Sequence, residues 1–140
     1  MKVVINDCHG GFGLSEAAII SYATRKGIEL WPERSKSGNY ITWYTVPPEE
    51  RVQPLEGFWM SHPEEVRKEH NERSSKERLS ENDIARDDPD LIATIELLGE
   101  DVCRGRFSSL KIVKIPDDVE WEIEEYDGLE WVAEKHRTWG

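Results

Sequence analysis

Cysteine and long apolar segments are both scarce in this chain of 140 residues. Only Cys8 and Cys103 occur, so neither a disulfide framework nor a spaced zinc motif is predicted, and a reducing compartment is the default. No apolar run approaches the roughly 18 residues that a membrane-spanning helix requires. No leading segment has the features of a signal peptide. We therefore expect a soluble, cytoplasmic protein that makes no use of a membrane.

Positive charge is also in short supply. Lysine and arginine number 18 against 29 aspartates and glutamates, which gives a net charge of -11. Because contacts to nucleic-acid phosphates need a basic surface, binding of DNA or RNA over a broad face is not expected. Residues 1–61 are nearly neutral, and the acidic surplus falls in the second half, where we interpret it as a solvated face. A small anion in a local pocket stays compatible with this charge.

The four histidines are too scattered to predict a metal centre. They stand at positions 9, 62, 70 and 136, and no pair has the i, i+4 spacing with a carboxylate that a zinc helix shows. The acidic run Asp87-Asp88-Pro89-Asp90 is explained by helix capping without an ion. No metal and no cofactor are therefore predicted.

The most informative segment that is present is a glycine-rich loop. It reads Asn6-Asp7-Cys8-His9-Gly10-Gly11-Phe12-Gly13-Leu14-Ser15, between the apolar run 3–5 and a helical pattern over 16–26. Glycines allow unusual backbone torsions, and a helix N-terminus offers unpaired N–H donors to an anion. The spacing matches neither the dinucleotide fingerprint nor the P-loop. The loop predicts a phosphate or carboxylate site, with a purely structural turn as the alternative.

Cys8 and His9 lie in this loop and suggest a nucleophile and its base. Sequence neighbours on extended backbone point to opposite sides, so a catalytic pair between these two is not expected. The base would have to be another histidine, such as His62, His70 or His136. A packed, inert thiol is the favoured interpretation of Cys8.

Further candidates for ligand binding lie outside the loop. Arg86 precedes a predicted helix, where it would clamp a phosphate with two hydrogen bonds or pair with the nearby aspartates. Near the end of the chain, His136, Arg137 and Trp139 suit a base and its phosphate, or else Trp139 docks into the core. Trp31, Trp43 and Trp59 either line a pocket or form an oligomer interface.

The patterns predict one α+β domain over 1–140, with a mixed sheet of about six strands, two helices and a C-terminal β-hairpin. Strands are expected at 2–5, 28–31, 40–46, 110–115, 120–126 and 129–134, with a weaker strand or coil at 55–60. Helices are expected at 16–26, capped by Ser15, and from Pro89 to a stop at Gly99, capped by Asp88. Asp127-Gly128 predicts a type I′ turn, and Trp121, Ile123, Leu129 and Trp131 are expected in the core. Residues 61–82 form a charged excursion, either an exposed helix or a mobile loop, which we expect to be partly ordered.

Three segments resemble a family of small bacteriophage and prophage proteins that are mostly uncharacterised. They are Val-Val-Ile-Asn-Asp-Cys-His-Gly-Gly-Phe-Gly-Leu-Ser (3–15), Arg-Asp-Asp-Pro-Asp-Leu-Ile (86–92) and Ile-Glu-Glu-Tyr-Asp-Gly-Leu-Glu-Trp-Val-Ala-Glu-Lys-His-Arg-Thr-Trp (123–139). The resemblance implies a context: small accessory phage proteins often counter host defence, and one strategy traps the nucleotide messengers of bacterial immunity without cleaving them.

These observations together predict a binding protein that sequesters a phosphate-bearing small molecule, such as a nucleotide immune signal, in the host cytoplasm and without catalysis. Assembly into a homo-oligomer is compatible with this prediction. The expected ligand-binding residues are Asn6, Cys8, His9, Gly10, Gly11, Phe12, Gly13, Leu14, Ser15, Arg86, His136 and Arg137. Two alternatives stay open. One is a nucleotide-processing hydrolase that uses Cys8 or His9, and the other is an inhibitor of a host protein that presents the acidic stretch 117–134.

Overall fold

The computed structural model describes residues 1–135, and these residues form a mixed α+β protein. The helices within this range are α1 (Glu16–Lys26), α2 (Glu64–Ser75), α3 (Pro89–Leu98) and the single turn α4 (Glu100–Cys103). The strands are β1 (Lys2–Asn6), β2 (Trp31–Arg34), β3 (Ile41–Tyr44), β4 (Leu110–Lys114), β5 (Trp121–Tyr126) and β6 (Leu129–Glu134). They pair as three two-stranded antiparallel sheets, β1–β4, β2–β3 and β5–β6.

The predicted α+β class and the number of strands are confirmed, but the arrangement differs from the expected one. The strands form three separate antiparallel pairs in place of one mixed sheet, and four helices replace the expected two. Strand patterns in a sequence show which face is apolar, but they do not show which strands pair. The additional long helix, α2, buries none of its residues, so it has no apolar periodicity to reveal it.

The charged excursion at 61–82 contains α2, and this helix settles the choice between a helix and a loop for residues 64–75. Glu64 and Glu65 lie in its first turn and Arg73 in its last, which complements the helix dipole at both ends. The weaker strand expected at 55–60 is absent: a 3-10 turn at Trp59–Ser61 follows irregular backbone there.

The chain divides into two compact units, Ile28–Ser80 and the remainder, which joins Met1–Gly27 to the chain from Glu81 onward. The assignment of residues 1–140 to a single domain stays a prediction. No helix among the described residues has both the length and the apolar character needed to cross a bilayer.

The unit that contains the chain start has its core between β1, α1 and α3. Val3 and Val4 of β1 and Leu91 of α3 are fully buried, as expected for an apolar strand without polar alternation. Both predicted N-caps are present. Ser15 Oγ accepts the Ala18 N–H at 3.2 Å, and Asp88 accepts the N–H groups of Asp90 and Leu91.

The C-terminal hairpin joins β5 to β6 through the two residues Asp127 and Gly128. Their φ angles of 49° and 89° are both positive, as the predicted type I′ turn requires. None of the four expected core residues is in the buried core: Trp121, Ile123 and Leu129 are half-buried. Trp131 is 41% exposed, and its indole N–H donates to Glu124 at 3.0 Å. The alternation of acid and apolar residues placed Trp131 inward, but its partner on the neighbouring strand is Glu124, on the solvent side.

The second unit, Ile28–Ser80, is built around β3. On one side β3 pairs with β2, and on the other the chain at 77–79 continues the pairing through two hydrogen bonds of 2.8 Å, Thr45 N–H to the Glu77 carbonyl and Leu79 N–H to the Trp43 carbonyl. Trp43 is buried at the centre of this arrangement. β3 is shorter than predicted because the turn at 35–40 limits the ladder, whereas β2 has the predicted length but begins three residues later and includes Pro32.

Candidate functional site

The start of the glycine-rich loop is fixed by the side chain of Asn6, which is completely buried. Its Nδ2 donates to the carbonyl oxygens of Cys8 at 2.6 Å and Gly128 at 2.7 Å. Its Oδ1 accepts the Ser109 N–H at 2.9 Å, and its own backbone N–H donates to the Glu130 carboxylate at 2.7 Å. Both donors of the carboxamide are engaged within the protein, so Asn6 positions the loop and does not face a ligand.

The end of the loop is fixed at the start of α1, and a carboxylate is already present there. The Leu14 N–H donates to Glu81 Oε2 at 2.7 Å. The Ser15 N–H donates to the Cys103 carbonyl at 2.8 Å, and Ser15 Oγ donates to the Val102 carbonyl at 2.7 Å. A carboxylate of the protein itself therefore occupies this end of the loop.

Arg86 forms the two-pronged contact that its sequence position suggested, but with an unexpected partner. Its two terminal nitrogens donate to the two oxygens of Glu130 at 2.6 and 2.9 Å, and its guanidinium stacks 3.5 Å from the centre of the Phe12 ring. The side chains of Arg86 and Glu130 are only 19% and 10% exposed. Arg86 therefore connects the loop to β6 through Phe12 and Glu130. The nearby aspartate Asp88 caps a helix and does not pair with Arg86.

Cys8 and His9 contact different groups. Cys8 Sγ lies 3.3 Å from the Phe107 carbonyl oxygen, to which it donates, and it accepts the Gly10 N–H at 3.4 Å. His9 Nδ1 lies 3.2 Å from the Asp127 carbonyl oxygen. The Cys8 thiol therefore lies among backbone groups and the side-chain oxygen of Asn6, and the imidazole of His9 is bonded to the hairpin turn.

The other histidines offer Cys8 no base among the described residues. His62 and His70 both belong to the second unit, where their Nε2 atoms bond to the carbonyl oxygens of Glu56 and Gln53. His136, together with Arg137 and Trp139, lies outside the described residues. The second cysteine, Cys103, is fully buried, and burial raises the pKa of its thiol, which keeps it protonated.

A second loop lies directly beside the glycine-rich loop, and the sequence analysis missed it. This segment, Arg104-Gly105-Arg106-Phe107, is called the RGRF turn below. Arg104 pairs with Leu14 in an isolated antiparallel bridge, and the Gly105 N–H donates to the Gly13 carbonyl at 2.9 Å. Ser108 closes the turn, since its N–H donates to the Gly105 carbonyl at 3.3 Å and its Oγ donates to the Gly13 carbonyl at 2.8 Å.

The RGRF turn and the glycine-rich loop approach each other too closely for a side chain at Gly10. A Cβ atom there would lie 1.6 Å from the Phe107 carbonyl oxygen. The Phe107 side chain lies at the surface, where it is 68% exposed. The sequence does contain a signal for this turn: two arginines within four residues of an otherwise acidic chain.

The RGRF turn carries positive charge that the described residues do not neutralise. Arg104 and Arg106 are both exposed, and within residues 1–135 neither forms an ion pair. The Arg106 guanidinium lies 5.5 Å from the centre of the Phe107 ring. In the adjacent loop, the N–H groups of Gly11, Phe12 and Gly13 have no hydrogen-bond acceptor in the described part of the chain. We call these three amides and the RGRF turn the loop-pair site.

The three tryptophans of the second unit have three different environments. Trp31 lines a shallow cavity of about 490 Å³, together with Leu30, Pro32, Glu33, Pro48 and Arg51. Trp43 belongs to the core, and Trp59 packs edge-on against His70 with ring centres 5.6 Å apart. Of these tryptophans, only Trp31 fits the expectation of a pocket wall.

Residues 1–135 contain no group of three or more histidine, cysteine, aspartate or glutamate side chains able to hold a metal ion. Comparisons of the chain with protein-family models, with curated proteins and with solved structures found no match.

Proposed function

We propose that this protein binds a small phosphate-bearing molecule at the loop-pair site and holds it without chemical change. The observation that carries the proposal is the pair of unneutralised guanidinium groups, Arg104 and Arg106, beside a glycine-rich loop in a protein of net charge -11. An isolated pair of cations in an acidic protein attracts an anion locally, although the whole surface repels polyanions.

The arrangement of donors matches phosphate better than it matches a metal or an apolar ligand. Guanidinium groups bind phosphate oxygens in a planar, two-pronged manner, and backbone N–H groups add charge-assisted hydrogen bonds. Glu81 and Glu130 already occupy the two ends of the glycine-rich loop. The proposed contacts therefore lie at Gly11 to Gly13 and at the RGRF turn, in place of the α1 N-terminus and Arg86.

Retention without cleavage is supported by the surroundings of Cys8 and His9. Nucleophilic catalysis requires a base within hydrogen-bond reach of the nucleophile. Among the described residues, the hydrogen-bond partners of the Cys8 thiol are a side-chain amide oxygen, a carbonyl oxygen and a backbone N–H, and His9 bonds elsewhere. The described residues thus supply binding groups without an activated nucleophile.

The resemblance of three segments to bacteriophage proteins supports a more specific form of this proposal. In that context, a phage accessory protein would sequester a nucleotide immune signal in the host cytoplasm. A protein that sequesters a signal needs affinity and abundance but no turnover, which fits a site built from amides and arginines.

Isothermal titration tests the proposal with the full chain and a panel of inorganic phosphate, ribose 5-phosphate, mononucleotides and cyclic mono- and dinucleotides. We expect binding to at least one member and its loss in the double variant R104Q/R106Q. Each hydrogen bond to a charged group contributes about 1.5–3 kcal/mol, so the two substitutions should weaken binding by roughly 100-fold or more. The double variant R25Q/R73Q changes the net charge equally at two exposed sites and is the matched control.

Two results would contradict the proposal. One is the absence of heat with every member of the panel, and the other is equal affinity of R104Q/R106Q and wild type. Mass spectrometry of ligand recovered after denaturation distinguishes a sequestering protein from an enzyme, because recovery of intact ligand supports retention without cleavage. A product of altered mass that disappears in C8A would instead favour the hydrolase.

A further inference from the structure

The loop-pair site contains one group that a phosphate does not use, the exposed ring of Phe107. Phe107 is 68% exposed, although its own carbonyl group packs closely against Gly10. The exposed ring is accessible to a ligand that also reaches the arginines beside it.

The backbone that carries Phe107 is held in place on both sides. Ser108 closes the turn that carries Phe107 and bonds it to Gly13. The Phe107 carbonyl oxygen abuts Gly10 and accepts from the Cys8 thiol. The turn is therefore pre-organised, because little backbone freedom is lost when a partner binds.

The neighbours of Phe107 identify the chemistry of that partner. The Arg106 guanidinium lies 5.5 Å from the ring centre. Arg104 lies two residues before Arg106, on the extended backbone that borders Leu14. An aromatic face beside cations that bind phosphate fits a molecule with a flat ring and a phosphate joined by a short spacer. Stacking on a phenylalanine and contact to arginine are the means by which proteins hold nucleobases without reading their sequence.

We propose that Phe107 stacks on the base of the bound molecule, so that the site selects nucleotides over inorganic phosphate and sugar phosphates. This inference rests on the proposed function, because it assigns the ring-binding part of the same site.

The test compares ribose 5-phosphate with the nucleotide of the panel that binds most tightly, by isothermal titration of wild type, F107L and F107W. We expect the nucleotide to bind wild type at least about tenfold more tightly than ribose 5-phosphate, as one stacked base allows. In F107L that preference should disappear while the affinity for ribose 5-phosphate stays unchanged, and F107W should restore it. F58L is the matched control, since Phe58 of the second unit is 74% exposed.

The outcomes separate the inference from the function on which it rests. If ribose 5-phosphate binds as tightly as the nucleotide, or if F107L keeps the preference, the stacking role is wrong while phosphate binding stands. If F107L weakens both ligands equally, Phe107 acts through the loop structure and the inference is again wrong. If no ligand binds wild type, the proposed function fails and the inference fails with it.

Discussion

At the scale of single residues, contacts between distant parts of the chain define the candidate site. The sequence identified Arg86 as a residue able to form a two-pronged ion pair, but not its partner Glu130, which lies 44 positions away. It likewise identified three glycines without showing which of them must be glycine. The structure answers this for two positions. A Cβ at Gly10 would meet the Phe107 carbonyl at 1.6 Å, and one at Gly13 would meet its nearest atom at an ordinary 3.7 Å.

This difference predicts unequal effects of alanine in the same loop. We expect G10A to lower the free energy of unfolding by about 1–3 kcal/mol, because the added methyl group overpacks a backbone contact. G13A should change it by less than about 0.5 kcal/mol, as an uncrowded surface substitution does. Urea denaturation followed by tryptophan fluorescence measures both. Equal stability of the two variants would show that the close approach of the loops is wrong.

At the scale of elements, local signals predicted both capped helices of the first unit. Ser15 and Asp88 cap α1 and α3 as their residue types indicated, because capping joins groups only two or three positions apart. The role of Asp88 extends beyond its helix, however. Its carboxylate also accepts the Tyr22 hydroxyl at 3.0 Å and lies 3.0 Å from Lys26 Nζ, both of α1.

This network predicts a pH-dependent contribution of Asp88 to stability. Burial alone would raise the pKa of Asp88, but hydrogen bonds from Lys26 and Tyr22 and from backbone N–H groups lower it below its ordinary value of 3.8. A lowered pKa in the folded state stabilises the protein above the unfolded pKa, and this stability is lost as the pH falls through the folded pKa. D88N keeps a capping side chain but loses the charge. We expect its stability deficit to be constant above a pH of about 5 and to shrink below about 4.

Urea denaturation of wild type and D88N between neutral and acidic pH measures this deficit. D117N is the control, because Asp117 is 86% exposed where it pairs with the chain N-terminus. Exposed ion pairs are screened by solvent and contribute little. A deficit of D88N that does not change with pH would mean that the charge of Asp88 does not stabilise the fold.

At the scale of the whole molecule, the two long helices of the first unit differ from α2 in how they are stabilised. Helices α1 and α3 each bury four residues, whereas α2 buries none. Helices in proteins derive most of their stability from packing an apolar face, so α2 has the weakest support of the three. The sequence anticipated this region as charged and partly ordered, and its charged, non-periodic pattern is the reason that no helix was assigned with certainty.

Hydrogen exchange measures this difference in one experiment on the intact protein. We expect the amides of residues 64–75 to exchange at least about tenfold faster than those of α1 and α3, because local opening exposes little apolar surface there. The exchange of each peptide in the unfolded chain serves as the reference. Equal protection of α2 and α3 would mean that α2 has tertiary support beyond the contacts described.

The sequence by itself determined the α+β class, the two helix caps, the type I′ turn and the location of the glycine-rich loop. All of these depend on torsion preferences and on contacts between near neighbours. The tertiary structure alone decided that Glu81 and Glu130 occupy the ends of that loop, that Trp131 faces solvent, and that the RGRF turn lies against the loop. The loop contacts have one physical reason: strand pairing and helix packing bring their partners together across 44 to 124 positions of the chain, and no local pattern predicts such a pairing. The partner of Trp131 is only seven positions away, but which face of the hairpin is exposed depends on the packing of the hairpin in the fold.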